Sequence, residues 1–272
     1  MTGFVHLHVH TEYSLVDSVV RVPELVAATA AAGMPAVAIT DQGNLFGLVK
    51  FYRAALAAGV QPIAGAEVWL AGAAGKGPAD RTEPGRLVLL CRTETGYLNL
   101  CRLLTRAWVE GQQGGLPFIE AGWLADGAAA GLIALSGGRD GVLGRTVLAG
   151  SRPQAERLAG ELKALFGGDL YVELQRTGRA QDDDYVHAAV RFASDVGLPV
   201  VATNDVRFLT REDFEAHEAR VCIQTGYVLG DGARPRHYSD QQYLRTPAEM
   251  AELFADLPEA LENTVEIARR CH

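Results

Sequence analysis

Seven short runs of strand-forming residues, several apolar at almost every position, recur along this chain of 272 residues with helical stretches between them. They fall at residues 4–8, 36–40, 62–69, 87–91, 132–135, 170–174 and 199–203. Val88-Leu89-Leu90 and Val200-Val201-Ala202 contain no polar position that could face water, so they read as strands covered on both sides. Strands of this kind that alternate with helices assemble as β-α units around a parallel sheet. The pattern therefore predicts an α/β fold, a barrel of seven strands, built as one unit despite a length that would allow two.

The helical signals lie between the strands. Residues 22–32 carry Pro23 near a helix start and end at Gly33. Residues 45–58 place Leu45, Leu48, Val49, Tyr52 and Leu56 on one helical face, which predicts that this face is buried. Further helices are expected at 157–166, 210–223 and 258–270, the last two beyond the final strand and joined by a polar connection around 230–239. The Gly-rich stretches at 71–85 and 111–115 read as surface loops, and no internal repeat is found. The chain stops after a helical pattern at Arg269-Arg270-Cys271-His272, which reads as the boundary of an N-terminal piece of a longer polypeptide.

Composition narrows the function classes. There are 33 acidic residues against 25 basic ones, a formal net charge of -8. A domain that grips a nucleic-acid backbone presents a basic face, so little direct DNA binding is expected. No apolar stretch reaches the roughly 18 to 20 residues of a membrane span. The residues before Thr11 include three histidines and lack the basic and apolar regions of a signal peptide. Cys91, Cys101, Cys222 and Cys271 are scattered without CxxC spacing, as reduced cytoplasmic thiols would be.

The chemistry gathers where strands end. The first run closes in His6-Leu7-His8-Val9-His10, and period-two alternation would put all three imidazoles on one face. Other runs carry or end in Asp41-Gln42, Glu67, Ser136-Gly137-Gly138, Glu173 and Thr203-Asn204-Asp205-Val206-Arg207. Strand ends are where barrels of this kind place function. Burying so many polar groups unpaired would cost about 1–3 kcal/mol each, so a metal site, present or ancestral, is favoured over chance polarity. Asp41 suits a turn or cap as well as catalysis. Glu173 reads as a core hydrogen-bonding carboxylate.

These blocks carry a resemblance. HLHVHTEYSLVD (6–17), AITDQGNLFGLVKFY (38–52), IAGAEV (63–68), ALSGGRDG (134–141) and VVATNDVRF (200–208) resemble, in order, the blocks of polymerase-and-histidinol-phosphatase (PHP) domains in bacterial DNA polymerase III alpha subunits. ELQRTGR (173–179), FEAHEARV (214–221) and ALENTVEIARRC (260–271) resemble the proteobacterial type, so the likeness spans essentially the whole chain. It implies a distorted seven-stranded (β/α) barrel of PHP type at about 1–209 with extra C-terminal helices at about 210–272. Active relatives hold a trinuclear metal cluster on nine ligands. Matched residue by residue, His8 and His10 correspond to the opening histidine pair, Asp17 to the acid that follows, Glu67 to the bridging carboxylate and Asp205 to the late aspartate. Four positions depart from that pattern: Gln42 and Arg207 stand where the family has histidines, and Arg86 and Gly138 fall at two further ligand positions.

The departures matter because divalent metals need lone pairs from imidazole, carboxylate or thiolate, and a guanidinium offers only donors. Five retained ligands are compatible with one weakly held Zn, Mn or Mg ion, but no catalytic cluster or cofactor is expected. Arg86 and Arg207 would instead supply the missing positive charge, with Glu67 the first expected partner of Arg207 and Asp17 the second. The resemblance implies a structural and interaction module of a DNA-directed DNA polymerase, docking the epsilon proofreading exonuclease and the remainder of the polymerase chain, itself without catalysis. The competing reading is a residual metal-dependent phosphoesterase, a pyrophosphatase or 3′–5′ exonuclease. A nucleic-acid-binding module fits the negative charge poorly.

Overall fold

The computed structural model describes residues 3–71 and 85–271. The strands are β1 (Ala36–Ile39), β2 (Gln61–Ala71), β3 (Gly85–Cys91), β4 (Gln112–Gln113), β5 (Leu116–Glu120), β6 (Leu132–Leu135), β7 (Leu170–Gln175) and β8 (Val200–Thr203). They form one sheet in the order β4-β5-β2-β3-β6-β7-β8, with β1 paired to β2 as a branch. Six of the expected strands form within two residues of their expected ends.

The sheet is mixed, which corrects the parallel expectation. β3 runs antiparallel to both β2 and β6, whereas β1–β2, β2–β5, β6–β7 and β7–β8 are parallel. A parallel return needs a crossover, usually a helix, and the sequence between β2 and β3 has no helical pattern. Most of the loop expected at 71–85 lies outside the described residues. The other expected loop, at 111–115, contains β4 and turns through Gly114 and Gly115 (φ +59° and +84°) into β5.

The first expected strand is not one. Residues 4–10 run between β1 and the segment after β8, held by isolated bonds such as Ala38 N–H to His6 O (2.9 Å) and His10 N–H to Val206 O (2.9 Å). The alternation slips here. Val5 and Leu7 join the apolar cluster formed by Ala36, Ala38, Val88, Leu90 and Val201 on the concave face, but Val9 joins Val37 and Ile39 on the outside. His8 and His10 consequently point inward, whereas the His6 ring donates from Nε2 to Arg245 O at 2.8 Å. The expectation that all three imidazoles share a face fails at this slip.

The helices are α1 (Val22–Ala31), α2 (Leu48–Ala57), α3 (Glu94–Val109), α4 (Val142–Leu148), α5 (Arg152–Phe166), α6 (Asp182–Val196), α7 (Phe214–Thr225), α8 (Pro247–Leu253) and α9 (Pro258–Arg270). They cover the convex face, where Leu87, Leu89, Leu100, Leu158 and Tyr185 share one core. α2 is oriented differently from expectation. It buries Phe51 and Ala55 against Val37 and Ile39, and leaves Val49, Tyr52 and Leu56 at least half exposed. α9 seals the far end of the barrel: Ile267 and Ala268 enter the concave cluster, and Thr264 Oγ1 accepts from Val5 N–H (3.1 Å). Among the described residues no helix is long and apolar enough to cross a membrane.

Candidate metal centre

The mouth of the barrel, opposite α9, is filled by charged side chains out of contact with water. His8, His10, Asp17, Glu67, Glu173, Asp205 and Arg207 are all at most 4% exposed. The segment at 4–10 delivers the histidines, β2 delivers Glu67, β7 delivers Glu173, and the turn after β8 delivers Asp205 and Arg207. Ligand atoms of His8, His10, Glu67 and Asp205 lie within 4.8 Å of one another.

His8 is the hub. Its Nδ1 lies 2.7 Å from Glu173 Oε1, and its Nε2 lies 3.0 Å from Glu67 Oε2 and 3.1 Å from His10 Nε2. Burial alone disfavours an imidazolium, but the charge of Glu173 and the hydrogen bonds to Glu173 and Glu67 prevail and raise the pKa of His8 to about 10. At neutral pH His8 is therefore held as an imidazolium, and a metal would have to displace its proton to bind there.

Arg207 enters from the opposite side and is fully buried. Its Nε donates to Asp205 Oδ1 at 2.8 Å, its NH1 lies 2.5 Å from Asp17 Oδ2, and its NH2 is 3.8 Å from Glu67 Oε2. The NH1 and NH2 contacts are ion pairs without an aligned hydrogen bond. Asp17 and Asp205 are thus its close partners, and Glu67, expected first, is the distant one. Glu67 turns instead to the histidines and to Arg86, whose Nε is 3.4 Å from Oε1 and whose guanidinium rests on the Trp69 ring. Burial pushes the Asp17, Glu67 and Asp205 pKa values up, but the neighbouring cations win and hold all three low, Arg207 acting on Asp17 and Asp205 and Arg86 on Glu67. Asp205 does not keep the extended backbone expected of it: its φ is +43°, a left-handed conformation that costs a non-glycine residue energy and persists only under constraint.

The remaining expected positions flank this cluster. Gln42 forms an isolated bridge with Glu67, and its buried Nε2 has no hydrogen-bond partner. Gly138 has φ +60°, and a Cβ there would come within 2.5 Å of Gln175 Oε1, so the Gln175 amide fills the space a side chain at 138 would need. Asp41 stands outside the cluster. Its Oδ1 accepts from Thr11 N–H (2.6 Å) and Ser14 Oγ (2.8 Å), clamping the turn after His10.

Sequence reasoning left Glu173 off the site and did not single out Gln175, Tyr238, Gln242 or His217. Glu173 accepts from Gly137 N–H at 3.0 Å as well as engaging His8, so it does both kinds of work. Tyr238 donates its hydroxyl to Asp17 Oδ2 (2.7 Å), and Gln242 Nε2 donates to Asp205 Oδ2 (2.8 Å). The one available signal was Glu173 itself, a carboxylate in an otherwise apolar strand.

The donor set suits at most one divalent ion. Imidazole and carboxylate are the right ligand types, but the acids already receive Arg207, Arg86, Tyr238 and Gln242, and His8 carries a proton. With an amide at 42, a guanidinium at 207 and no side chain at 138, the residues do not fit a multi-metal cluster.

Histidines, carboxylates and arginines gathered at one end of a curled α/β sheet form a buried site dominated by ion pairs. The chain belongs to the PHP domain family, whose model matches residues 6–177. It is 55% identical over 270 residues to the DNA polymerase III subunit alpha of Pseudomonas aeruginosa, covering 99% of this chain and 22% of that protein. Against the DNA polymerase III subunit alpha of Escherichia coli (strain K12) it is 48% identical over 269 residues, covering 99% and 23%. The chain thus spans less than a quarter of the length of these relatives. A solved amidohydrolase from Chromobacterium violaceum, with bound sulfate and no metal, shares the fold at TM-score 0.52 and 16% identity, covering 80% of this chain and 97% of that one.

Proposed function

We propose that this chain is the N-terminal PHP domain of a replicative DNA polymerase III alpha subunit, a single cytoplasmic domain whose phosphoesterase site is degenerate and whose work is structural. One observation carries the reading. Arg207 is fully buried among Asp17, Asp205 and Glu67, so a permanent, covalently attached cation neutralises acids that the resemblance assigns to metal ligation. A guanidinium cannot lose its proton, polarise a phosphoryl oxygen as a Lewis acid or generate hydroxide. It can neutralise the acids and hold the mouth of the barrel rigid. The high identity to two alpha subunits supports the parent assignment, in which the rest of the polypeptide adds deoxynucleotides to a primed template.

Within that protein the domain supports the polymerase core and docks the epsilon proofreading exonuclease. Calorimetric titration with the exonuclease, its C-terminal tail included, tests the docking. Binding at or below tens of micromolar is expected, and the absence of heat and of co-elution there contradicts it.

A second reading rests on the four-donor group His8, His10, Glu67 and Asp205. One weak ion held there would support residual phosphoesterase activity on pyrophosphate or a DNA 3′ end. Metal-dependent cleavage abolished by His8→Ala and Asp205→Ala would establish it.

A further inference from the structure

α7 and α8 are joined by about twenty residues without regular secondary structure. Its second half lies across the mouth of the barrel. The Tyr238 hydroxyl donates to Asp17 Oδ2 at 2.7 Å, and its ring faces the Arg207 guanidinium at 5.5 Å. Gln242 is fully buried and donates from Nε2 to Asp205 Oδ2 (2.8 Å) and to Asp205 O (3.2 Å), while its own carbonyl accepts from Arg207 N–H at 2.9 Å. His217 on α7 stacks edge-on against the Tyr238 ring and donates from Nε2 to Asp17 O at 3.0 Å.

Two features distinguish this from a loop that simply passes by. Its donors to the acids are neutral, a phenol and an amide: Gln242 takes the Asp205 oxygen that Arg207 Nε leaves free, and Tyr238 shares Asp17 Oδ2 with Arg207 NH1. Gln242 also grips both the carbonyl and the carboxylate of Asp205, the residue with φ +43°, and so supplies the constraint that a strained conformation requires.

We propose that residues 238–245 are a latch over the barrel mouth, in which Tyr238 and Gln242 are positioning residues that hold Asp17 and Asp205 in their ion pairs with Arg207 and so oppose the binding of a divalent cation. The proposal rests on the reading of the site as an ion-pair network, and adds that the ligand substitutions are only half of the exclusion. A cation would have to break the hydrogen bonds of the latch as well as compete with Arg207. Because the latch is tethered to α7 and α8, movement of either helix would reach the site through it.

Two measurements on the intact protein test this separately from the underlying reading. The first is amide hydrogen exchange in Gln242→Ala. The latch predicts that the Asn204–Arg207 amides exchange at least tenfold faster while those of α3 are unchanged, and unchanged protection at 204–207 overturns it. The second is Mn2+ titration followed by electron paramagnetic resonance, comparing Arg207→His with Arg207→His/Gln242→Ala. The latch predicts about tenfold tighter binding in the double variant, and equal affinity overturns it. Should Arg207→His not fold, Gln242→Ala and Tyr238→Phe are compared with wild type in the same titration, with the same reading of a gain or its absence. Stoichiometric Mn2+ binding by wild type would instead refute the ion-pair reading, and the exchange result would still decide the latch.

Discussion

Glu173 meets His8 across the interior of the barrel: Oε1 and Nδ1 are 2.7 Å apart, both side chains are buried, and 165 residues separate them in sequence. The contact holds His8 as an imidazolium between the Glu173 and Glu67 carboxylates. Glu173→Ala leaves that buried charge short of a partner, and should cost roughly 3–5 kcal/mol. Glu173→Gln keeps a hydrogen-bonding side chain and loses only the charge, so its cost should be smaller. Urea melts of the two variants check the order, and a wild-type midpoint for Glu173→Ala would show that the pair is not structural.

Arg207 gives the complementary test from the cationic side. Arg207→Ala strands Asp17 and Asp205 together and should cost roughly 3–5 kcal/mol, against about 0–1 kcal/mol had the pair been exposed. Arg207→His removes the permanent charge and restores a ligand type. It should melt below wild type in chelator and recover part of the difference when zinc or manganese is added. Denaturant melts with and without metal read both effects, and wild-type stability for Arg207→Ala would remove the structural role.

The thiols offer a check on the core. Burial is the main cause that pushes the Cys91 and Cys271 pKa values from 9.0 to about 12. At pH 8 only about one such thiol in ten thousand is ionised, and the thiolate is the reactive form. Well below pH 9 the thiols are almost wholly protonated in both folded and unfolded chains and add little pH dependence. As pH rises from about 9 towards 12 the unfolded chain loses these protons first, so stability falls. Iodoacetamide at pH 8 should spare Cys91 and Cys271 in the native protein and modify both in denaturant. Mass spectrometry that finds them alkylated as fast as in the unfolded chain would contradict this.

How much of this was legible in the sequence depended on whether a residue's partners are local. Glu67 could be placed because strand alternation fixes its side, and His8 and His10 because two histidines bracketing one apolar residue share a side. The same rule misled at His6, since the pleat slips between Leu7 and His8 where the chain bridges two neighbours without a continuous ladder. It misled again at Asp205, whose left-handed backbone is held by Gln242, 37 residues away. A buried carboxylate such as Glu173 looks alike in sequence whether it serves the core or a site. Tyr238 and Gln242 sit in an irregular connection where no periodicity marks a direction. The α2 stripe of Val49, Tyr52 and Leu56 is a true helical face, but periodicity does not say which face packs inward; Phe51 and Ala55 won that place against β1.

On the proposed reading, the charges of Arg207, Arg86 and His8 do the work of metal ions. Elemental analysis of protein purified without chelator tests it most directly. The account predicts well under one equivalent of tightly bound zinc, manganese or iron per chain, and two or three equivalents at high occupancy would contradict it.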